Sequence, residues 1–373
     1  MFYLLLFLCF FIPLNSNALE LSAKSSVLID SDTNTILYEY NKDERLPMAS
    51  MTKMMTLLIL MEHIDSGKVK LSDDVIISKN AASMGGSQAY LEENSKMKLD
   101  VLIKAICIAS ANDAAVAVAE YIAGSTDDFI KLMNNKVKEL KLKNTHFSNV
   151  HGLDQDNHYS SAYDMAIIAS HLLKHDLILK YSSIYEDYIK HPNGVNTWVV
   201  NTNKLINHYE GLDGLKTGYT KNSGYCITAT AKRNNLRLIS VVMGESSNKV
   251  RNEDTINLLN YGFSNYRVEK VIDDSKLGDI DILFGKKNKV KLKLIDSGFH
   301  LVKNGDKYNY SYEIIKDKIK APVKVGDVVG RVNIYSNSVK IDTLKLTIFE
   351  EVKRANFFDL YGDNLRLLLK GYK

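Results

Sequence analysis

Residues 49–64 read ASMTKMMTLLILMEHI, an apolar run that begins with a serine and a lysine. Apolar side chains cover nearly every face of a helix with this sequence, and such helices are buried on all sides. Gly67 follows soon after and favours a helix end there. Ser50 and Lys53 lie three positions apart, so they share one face at the start of the helix. The stretch therefore predicts a buried helix that carries a nucleophile and a base at its N-terminal end.

Lys53 can act as a base only in its uncharged form. A serine hydroxyl is a poor nucleophile until a base accepts its proton. Free lysine has a pKa of about 10.4, so a base that works near pH 7 needs that pKa lowered by about three units, equivalent to roughly 4 kcal/mol. Burial and a nearby cation both lower the pKa of a lysine. The apolar run supplies the burial, and Lys216 is the candidate cation.

Two later segments supply the remaining parts of an acyl-transfer site, Ser-Ala-Asn at 110–112 and Lys-Thr-Gly at 216–218. Ser110 can pass a proton onward, and Asn112 can hydrogen-bond a substrate amide. A lysine and a threonine on a strand can hold an anionic end group, and a following glycine lets substrate backbone lie close to that strand. The three segments together indicate serine-based acyl transfer.

The secondary-structure pattern predicts one α/β domain around these segments. Five runs are typical of strands: 26–30, 35–40, 198–200, 224–231 and 236–243. Four patterns predict helices: 51–64, 100–122, 164–173 and 252–261, the last ending at Gly262. Because strands at both ends of the region enclose a helical middle, we expect them to share one sheet.

The chain beyond residue 268 alternates apolar and polar residues, which predicts a small all-β domain. Its strands are expected at 289–294, 308–314, 328–334 and 340–348. Residues 353–373 instead predict an amphipathic helix. Its apolar face comprises Phe357, Phe358, Tyr361, Leu365, Leu368, Leu369 and Tyr372. Such a helix either attaches the protein to a membrane surface or packs against its own domain.

The N-terminus and the composition limit location and partners. Residues 1–18 contain an apolar run without charged side chains, followed by small residues, which predicts a cleaved export signal, with an uncleaved anchor as the alternative. No run reaches the roughly 20 apolar residues that span a bilayer.

The net charge of +4, from 48 basic and 44 acidic residues, gives no indication of a nucleic-acid partner. Cys107 and Cys226 could pair in an oxidising compartment, but both lie in apolar runs, so we expect buried free thiols.

The motifs resemble those of the active-site-serine penicillin-binding proteins and serine β-lactamases, in particular the low-molecular-mass D-alanyl-D-alanine carboxypeptidases. Five segments carry the resemblance: ASMTKMMT at 49–56, SANDA at 110–114, NVHGL at 149–153, DGLKTGYT at 213–220 and LISVVMG at 238–244. The resemblance implies an α/β (α+β) catalytic domain of the β-lactamase/transpeptidase type, with an antiparallel sheet and a helical subdomain. A small all-β domain and a C-terminal amphipathic helix would follow.

The resemblance also implies catalytic roles for individual residues. Ser50 would attack the peptide carbonyl between two terminal D-alanines while Lys53 accepts its proton. Ser110, together with Lys216, would relay the proton to the departing D-alanine. Asn112 would be the remaining catalytic residue and would hydrogen-bond an amide of the substrate. Water would then release the shortened peptide from the acyl-enzyme.

Substrate-binding residues are implied in the same way. The backbone N–H groups of Ser50 and Tyr219 would form the oxyanion hole, and Gly218 would let the substrate backbone approach. Thr217 and Arg251 would bind the terminal carboxylate. Many relatives carry a residue other than tyrosine at 219, often histidine, but a backbone role does not depend on the side chain. The loop at 85–87 is read as an ordinary turn that borders the site.

The resemblance implies four regions: a signal peptide over 1–18, a serine D,D-peptidase domain over 19–265, a β-rich domain over 268–350 and a membrane-anchor helix over 351–373. The expected partners are peptidoglycan stem peptides ending in D-Ala-D-Ala, β-lactam antibiotics as covalent inhibitors, and the membrane surface. The expected location is the periplasmic face of the inner membrane, with a role in cell wall biogenesis and cell shape. The resemblance implies that no metal and no cofactor is needed, and His171 and His175, four apart, lack an evident third ligand.

Three alternative functions stay open. A class A β-lactamase uses the same motifs but adds a glutamate that activates the deacylating water, and the chain between 110 and 216 has no Glu-x-x-Leu-Asn segment of that kind. A D,D-endopeptidase that cuts cross-links is chemically almost identical to a carboxypeptidase. A catalytically inactive peptidoglycan-binding or shape protein would keep the fold without the activity.

Overall fold

The computed structural model describes residues 19–295 and 297–356, so the predicted export signal lies outside the described residues. The chain divides into two compact units. The first extends to Gly262 without the turn at 233–236, and the second comprises that turn and the chain from Phe263 onward.

A five-stranded sheet forms the centre of the first unit. The strands of this unit are β1 (Ser25–Asp30), β2 (Ile36–Tyr40), β3 (Asp74–Ile76), β4 (Lys96–Lys98), β5 (Glu186–Lys190), β6 (Asn196–Val200), β7 (Leu212–Thr220), β8 (Gly224–Arg233) and β9 (Leu236–Glu245). The order in the sheet is β2-β1-β9-β8-β7, with β1 antiparallel to β2 and β9, and β7 antiparallel to β8. This order confirms that strands from both ends of the domain share one sheet. The predicted strand at 198–200 is the exception, because it lies in β6, which pairs with β5 in a separate two-stranded sheet.

Helices fill the chain between the two groups of sheet strands. They are α1 (Lys53–Asp65), α2 (Lys79–Ala82), α3 (Leu99–Ile108), α4 (Asn112–Ala123), α5 (Thr126–Glu139), α6 (Ala162–Leu172) and α7 (Leu177–Ser182), and α8 (Asn248–Asn265) follows the last sheet strand. Every residue of α1 from Lys53 to Met61 is buried, which confirms a helix without a solvent-facing side along that length. A 3-10 turn, Ala49–Thr52, precedes it.

The single helix predicted over 100–122 is wrong, because the structure divides it into α3 and α4. Ser110, between the two helices, has a φ of 62°, a left-handed conformation that a right-handed helix does not contain. The Ser-Ala-Asn segment is therefore a bend between two helices. Ile108 and Ala111, on either side of the bend, are buried, so the apolar periodicity runs through the bend and conceals it.

The helix end predicted at Gly262 is also wrong, because α8 continues through that glycine to Asn265. A Cβ atom on Gly262 would lie 2.5 Å from a methyl carbon of Leu238 and 2.8 Å from one of Leu28. The glycine therefore allows α8 to lie directly against the central sheet, and its role is close packing rather than helix termination.

The second unit is built from β-strands, as its alternating pattern predicts. They are β10 (Tyr266–Lys270), β11 (Asp279–Leu283), β12 (Lys289–Leu294), β13 (Phe299–Lys303), β14 (Tyr310–Lys316), β15 (Ile319–Lys320), β16 (Gly330–Ser336) and β17 (Val339–Ile348). Six of them form a sheet in the order β14-β16-β17-β12-β11-β15, and β10 pairs with β13. The unit has its own apolar core, which includes Leu292, Val332 and Leu346.

The start of the predicted C-terminal helix is not helical. Val352 and Arg354 form isolated β-bridges with Val323 and Gly285, so backbone pairing within the second unit replaces helical hydrogen bonds there. Residues 357–373, which hold the rest of that prediction, lie outside the described residues. Within the described ranges, no helix is both long and apolar enough to cross a membrane.

Candidate active site

The nucleophile candidate lies on a constrained turn immediately before α1. Ala49 has a φ of 48°, which places a residue with a side chain in the left-handed region next to Ser50. Gly152 packs against this turn so closely that a Cβ atom there would lie 2.0 Å from the Ala49 carbonyl oxygen. Gly218, on β7, approaches from another direction, because its Cβ atom would lie 3.1 Å from the Ser50 nitrogen. Two glycines therefore let the surrounding backbone close around the turn.

Lys53 is completely buried and directs its amine to three oxygen atoms. Its Nζ atom lies 2.9 Å from Ser50 Oγ, 2.7 Å from Asn112 Oδ1 and 2.6 Å from the carbonyl oxygen of His151. A neutral amine at 2.9 Å from the hydroxyl can accept its proton without any movement of the backbone. The two other contacts fix the amine in that position.

The environment of Lys53 favours the neutral amine that a base requires. Burial lowers the pKa of Lys53 well below its usual value, and the positive charge of Lys216 lowers it further. The carboxylate of Asp113 acts in the opposite direction and raises the pKa of Lys53 by a smaller amount. Both causes expected from the sequence, burial and a second cation, are therefore present.

The bend between α3 and α4 brings the Ser-Ala-Asn segment to the same place. Asn112 is the first residue of α4, and its Nδ2 donates to the Gly85 carbonyl oxygen at 2.7 Å while its Oδ1 accepts from Lys53. The Asn112 backbone N–H donates to the Ser87 carbonyl oxygen at 2.7 Å. The loop at 85–87 thus borders the site, and Asn112 holds it. Ser110 is buried two residues earlier, within the bend.

Lys216 supplies the second cation from β7. Its side chain is buried, and its Nζ donates to the Thr217 carbonyl oxygen at 3.1 Å. Burial lowers the pKa of Lys216 to about 7, and the charge of Arg251 contributes to the reduction. Protonated Lys216 therefore becomes neutral as the pH rises through about 7. Thr217, the next residue, donates its hydroxyl to Thr202 Oγ1 at 2.7 Å.

The two remaining binding candidates differ in exposure. Tyr219 follows Gly218 on β7 and is 57% exposed, and its ring lies 4.3 Å from that of Tyr225. Arg251 is buried in α8, and its Nη2 donates to Asn252 Oδ1 at 2.7 Å. Burial lowers the pKa of Arg251 to about 10, so it remains a cation at neutral pH. It lies close enough to Lys216 for its charge to lower the pKa of that lysine.

Some residues that shape the site are not evident from the sequence. Asp113 accepts hydrogen bonds from the backbone N–H groups of Ala89 at 3.0 Å and Leu91 at 3.1 Å, which anchors the chain beyond the 85–87 loop. His151 contributes its backbone carbonyl oxygen to Lys53, a role that any side chain at that position permits. No residue-type signal reveals such a backbone contact.

The two cysteines of the described chain are both buried and free, which confirms the expectation from their apolar surroundings. Burial raises the pKa of the Cys107 thiol to about 12 and that of Cys226 to about 11. Neither thiol therefore forms a reactive thiolate near neutral pH.

A serine hydroxyl beside a buried lysine whose pKa is lowered, with a second buried lysine on strand β7, defines a serine enzyme of the acyl-transfer class. Residues 13–247 match the D-alanyl-D-alanine carboxypeptidase family, and residues 266–354 match the penicillin-binding protein 5 C-terminal domain. The chain belongs to the D-alanyl-D-alanine carboxypeptidase family and is a serine-type hydrolase.

Individual relatives agree with this assignment along most of their length. The chain is 44% identical over 338 residues to the D-alanyl-D-alanine carboxypeptidase DacF of Bacillus subtilis, covering 90% of this chain and 87% of that one. The structure of penicillin-binding protein 5 from Haemophilus influenzae has a TM-score of 0.70 at 34% identity, covering 90% and 98% of the two chains. Penicillin-binding protein D2 from Listeria monocytogenes, solved with ampicillin bound, has a TM-score of 0.59 at 30% identity, covering 66% and 99%.

Proposed function

We propose that this protein removes the terminal D-alanine from peptidoglycan stem peptides through an acyl-enzyme on Ser50. The observation that carries the proposal is the 2.9 Å contact between Ser50 Oγ and the buried Nζ of Lys53, whose pKa is lowered. This contact lies in a chain of the D-alanyl-D-alanine carboxypeptidase family, which supports peptides ending in D-Ala-D-Ala as the substrate class.

In the acylation step, Lys53 accepts the hydroxyl proton while Ser50 Oγ forms a bond to the carbonyl carbon of the penultimate D-alanine. The backbone N–H groups of Ser50 and Tyr219 stabilise the negative charge on the carbonyl oxygen, a type of contact for which one donor is worth roughly 10²–10³-fold in rate. The bond to the terminal D-alanine nitrogen then breaks, and Ser110 with Lys216 delivers a proton to that nitrogen. Water subsequently hydrolyses the ester and regenerates the hydroxyl.

The free carboxylate of the substrate distinguishes a carboxypeptidase substrate from an internal peptide bond. We assign its recognition to the Thr217 hydroxyl and the Arg251 guanidinium, and Gly218 lets the peptide lie along β7. Arg251 suits this role because it stays cationic at neutral pH and adds positive charge near Lys216. β-Lactams carry a carboxylate next to a reactive carbonyl, so the same groups would direct them to Ser50.

The function is tested by measuring D-alanine release from a peptide ending in D-Ala-D-Ala, with wild type and Arg251→Gln. Loss of one charged hydrogen bond, roughly 1.5–3 kcal/mol, should lower kcat/KM about 10- to 150-fold. The same peptide with an amidated C-terminus should be a poor substrate for both enzymes, with little difference between them.

Labelling with fluorescent penicillin, measured beside D-alanine release, identifies the alternatives. Stable labelling without D-alanine release would reject the carboxypeptidase function. Rapid penicillin turnover would indicate a β-lactamase, cleavage of cross-linked dimers would indicate an endopeptidase, and absence of any labelling would indicate a binding protein.

We also propose that the chain is exported and organised as a signal peptide over 1–18, a catalytic domain over 19–265, a β-rich domain that begins at 268 and includes the β-bridge of Arg354, and an anchor in the remaining part of the predicted helix, 357–373. The apolar run at the N-terminus and the amphipathic pattern of residues 357–373 support this proposal. Deletion of residues 357–373 should move the protein from the membrane fraction to the soluble periplasmic fraction. Unchanged membrane association after the deletion would contradict the anchor.

A further inference from the structure

A continuous set of hydrogen bonds connects the backbone at Ser148, far away along the chain, to the peptide bond that precedes Ser50. The backbone N–H of Ser148 donates to Nδ1 of His158 at 3.0 Å. Nε2 of His158 lies 2.8 Å from the Thr52 hydroxyl, and that hydroxyl donates to the Ala49 carbonyl oxygen at 2.8 Å. His158 and Thr52 are both buried, and Thr52 is completely so.

The direction of each hydrogen bond in this set is determined. A backbone nitrogen can only donate, so Nδ1 of His158 is the acceptor and carries no proton. A neutral imidazole then has its proton on Nε2 and donates it to Thr52. Burial, with nearby basic groups contributing, lowers the pKa of His158 to about 4, so the ring is neutral under physiological conditions.

The endpoint of the set controls the orientation of a catalytic backbone group. A peptide unit is planar and trans, so its C=O and N–H point in opposite directions. The carbonyl oxygen of Ala49 and the N–H of Ser50 belong to the same peptide unit. Holding that oxygen against Thr52 therefore directs the Ser50 N–H away from α1. The Ser50 nitrogen faces Gly218 on β7, the strand assigned to the substrate.

This peptide unit needs an external constraint because its backbone is not in a preferred conformation. Ala49 has a φ of 48°, in the left-handed region that is strained for a residue with a side chain. A turn of this kind keeps its conformation only where neighbouring groups hold it. Gly152 limits it by close packing, and Thr52 is the side chain that hydrogen-bonds its carbonyl oxygen.

We propose that His158 and Thr52 are positioning residues for the oxyanion hole: His158 orients the Thr52 hydroxyl, which holds the Ala49–Ser50 peptide so that the Ser50 N–H points at the reacting carbonyl. The inference rests on the proposed function, because it assigns the Ser50 N–H to the oxyanion. Neither side chain contacts the substrate in this scheme.

A matched pair of substitutions tests the role of His158. Glutamine places an amide nitrogen near the position of Nε2 and keeps a donor to Thr52, whereas asparagine places an oxygen near the position of Nδ1 and loses that donor. At saturating β-lactam, His158→Asn should slow acylation at least about tenfold, which is part of the 10²–10³-fold effect of one oxyanion donor. His158→Gln should remain within about threefold of wild type. The dissociation constant of the non-covalent complex should change little in either variant.

A second pair tests the role of Thr52 and remains informative if a histidine variant does not fold. Thr52→Val removes the hydroxyl and should slow acylation at least about tenfold, while Thr52→Ser retains it and should restore most of the rate. Because His158 acts through Thr52, the double variant His158→Asn/Thr52→Val should be no slower than Thr52→Val alone. Rates are measured per active site, by titration with the β-lactam, so that unfolded protein does not contribute.

The results separate this inference from the proposed function. If wild type is acylated at Ser50 but asparagine and glutamine at 158 give equal rates, or if the two substitutions have additive effects, the positioning role is rejected. If wild type is not acylated at all, the proposed function itself fails, independently of any variant at 52 or 158.

Discussion

Ser50→Ala should abolish covalent labelling by fluorescent penicillin and lower D-alanine release by roughly a millionfold, the typical effect of removing a serine nucleophile. The hydroxyl is the atom that forms the acyl bond, and no other serine lies within hydrogen-bond distance of the Lys53 amine among the described residues. Gel fluorescence and a D-alanine assay measure the two effects.

The folded structure should tolerate this change, because among the described residues the Ser50 hydroxyl makes one hydrogen bond, with Lys53. Thermal unfolding of the variant should therefore resemble that of wild type. Ser66→Ala, an exposed position just beyond the opposite end of α1, is the matched control and should label normally. Labelling of Ser50→Ala at the wild-type rate would show that the nucleophile has been misassigned.

Lys53→Met should slow acylation by roughly 10²–10⁴-fold, the usual range for loss of a general base. Methionine fills a similar buried space but cannot accept a proton. Stopped-flow or quenched labelling with a slow β-lactam measures the acylation rate constant. Lys131→Met, at an exposed lysine on α5, is the control and should leave that rate unchanged.

The pH dependence gives a second readout for Lys53. Because the neutral form is the base, acylation by wild type should decline as the pH falls through the lowered pKa of Lys53. Lys53→Met should lose this acid-side decline and retain only a slow residual rate. A variant that keeps the full acid-side decline would assign the titration to a group other than Lys53.

Much of the fold follows from local sequence patterns. The apolar run after Lys53 predicts a buried helix because no face of it is polar, and the polar turns at 31–34 and 232–235 predict the hairpins that flank the helical region. The positions of those hairpins at the two ends of the domain predict one shared sheet, whereas the order of its strands comes from the structure.

Other features depend on contacts that a local pattern does not contain. The bend at Ser110 interrupts a stretch that has good helical periodicity on both sides, and it forms because Asn112 is held by Lys53 and by the loop at 85–87. Gly262 looks like a helix end, yet its partners are Leu28 and Leu238, far away along the chain.

The chemistry of the site was predictable in part. Ser50, Lys53 and Lys216 could be nominated from residue type and spacing, but the reduced pKa of each lysine depends on burial by the whole domain. The roles of the His151 carbonyl oxygen and of His158 depend on backbone geometry and tautomer, for which residue identity gives no signal.

The left-handed conformations of Ala49 and Ser110 have a consequence for ligand selection. Each is held at a φ of 48° or 62° by contacts within the chain, through Thr52 for Ala49 and through Asn112 for Ser110, so folding itself sets these turns. The catalytic groups are thus preorganised, and a ligand gains little from induced fit at these positions. Discrimination then depends on how well a molecule already fits the fixed positions of these catalytic groups.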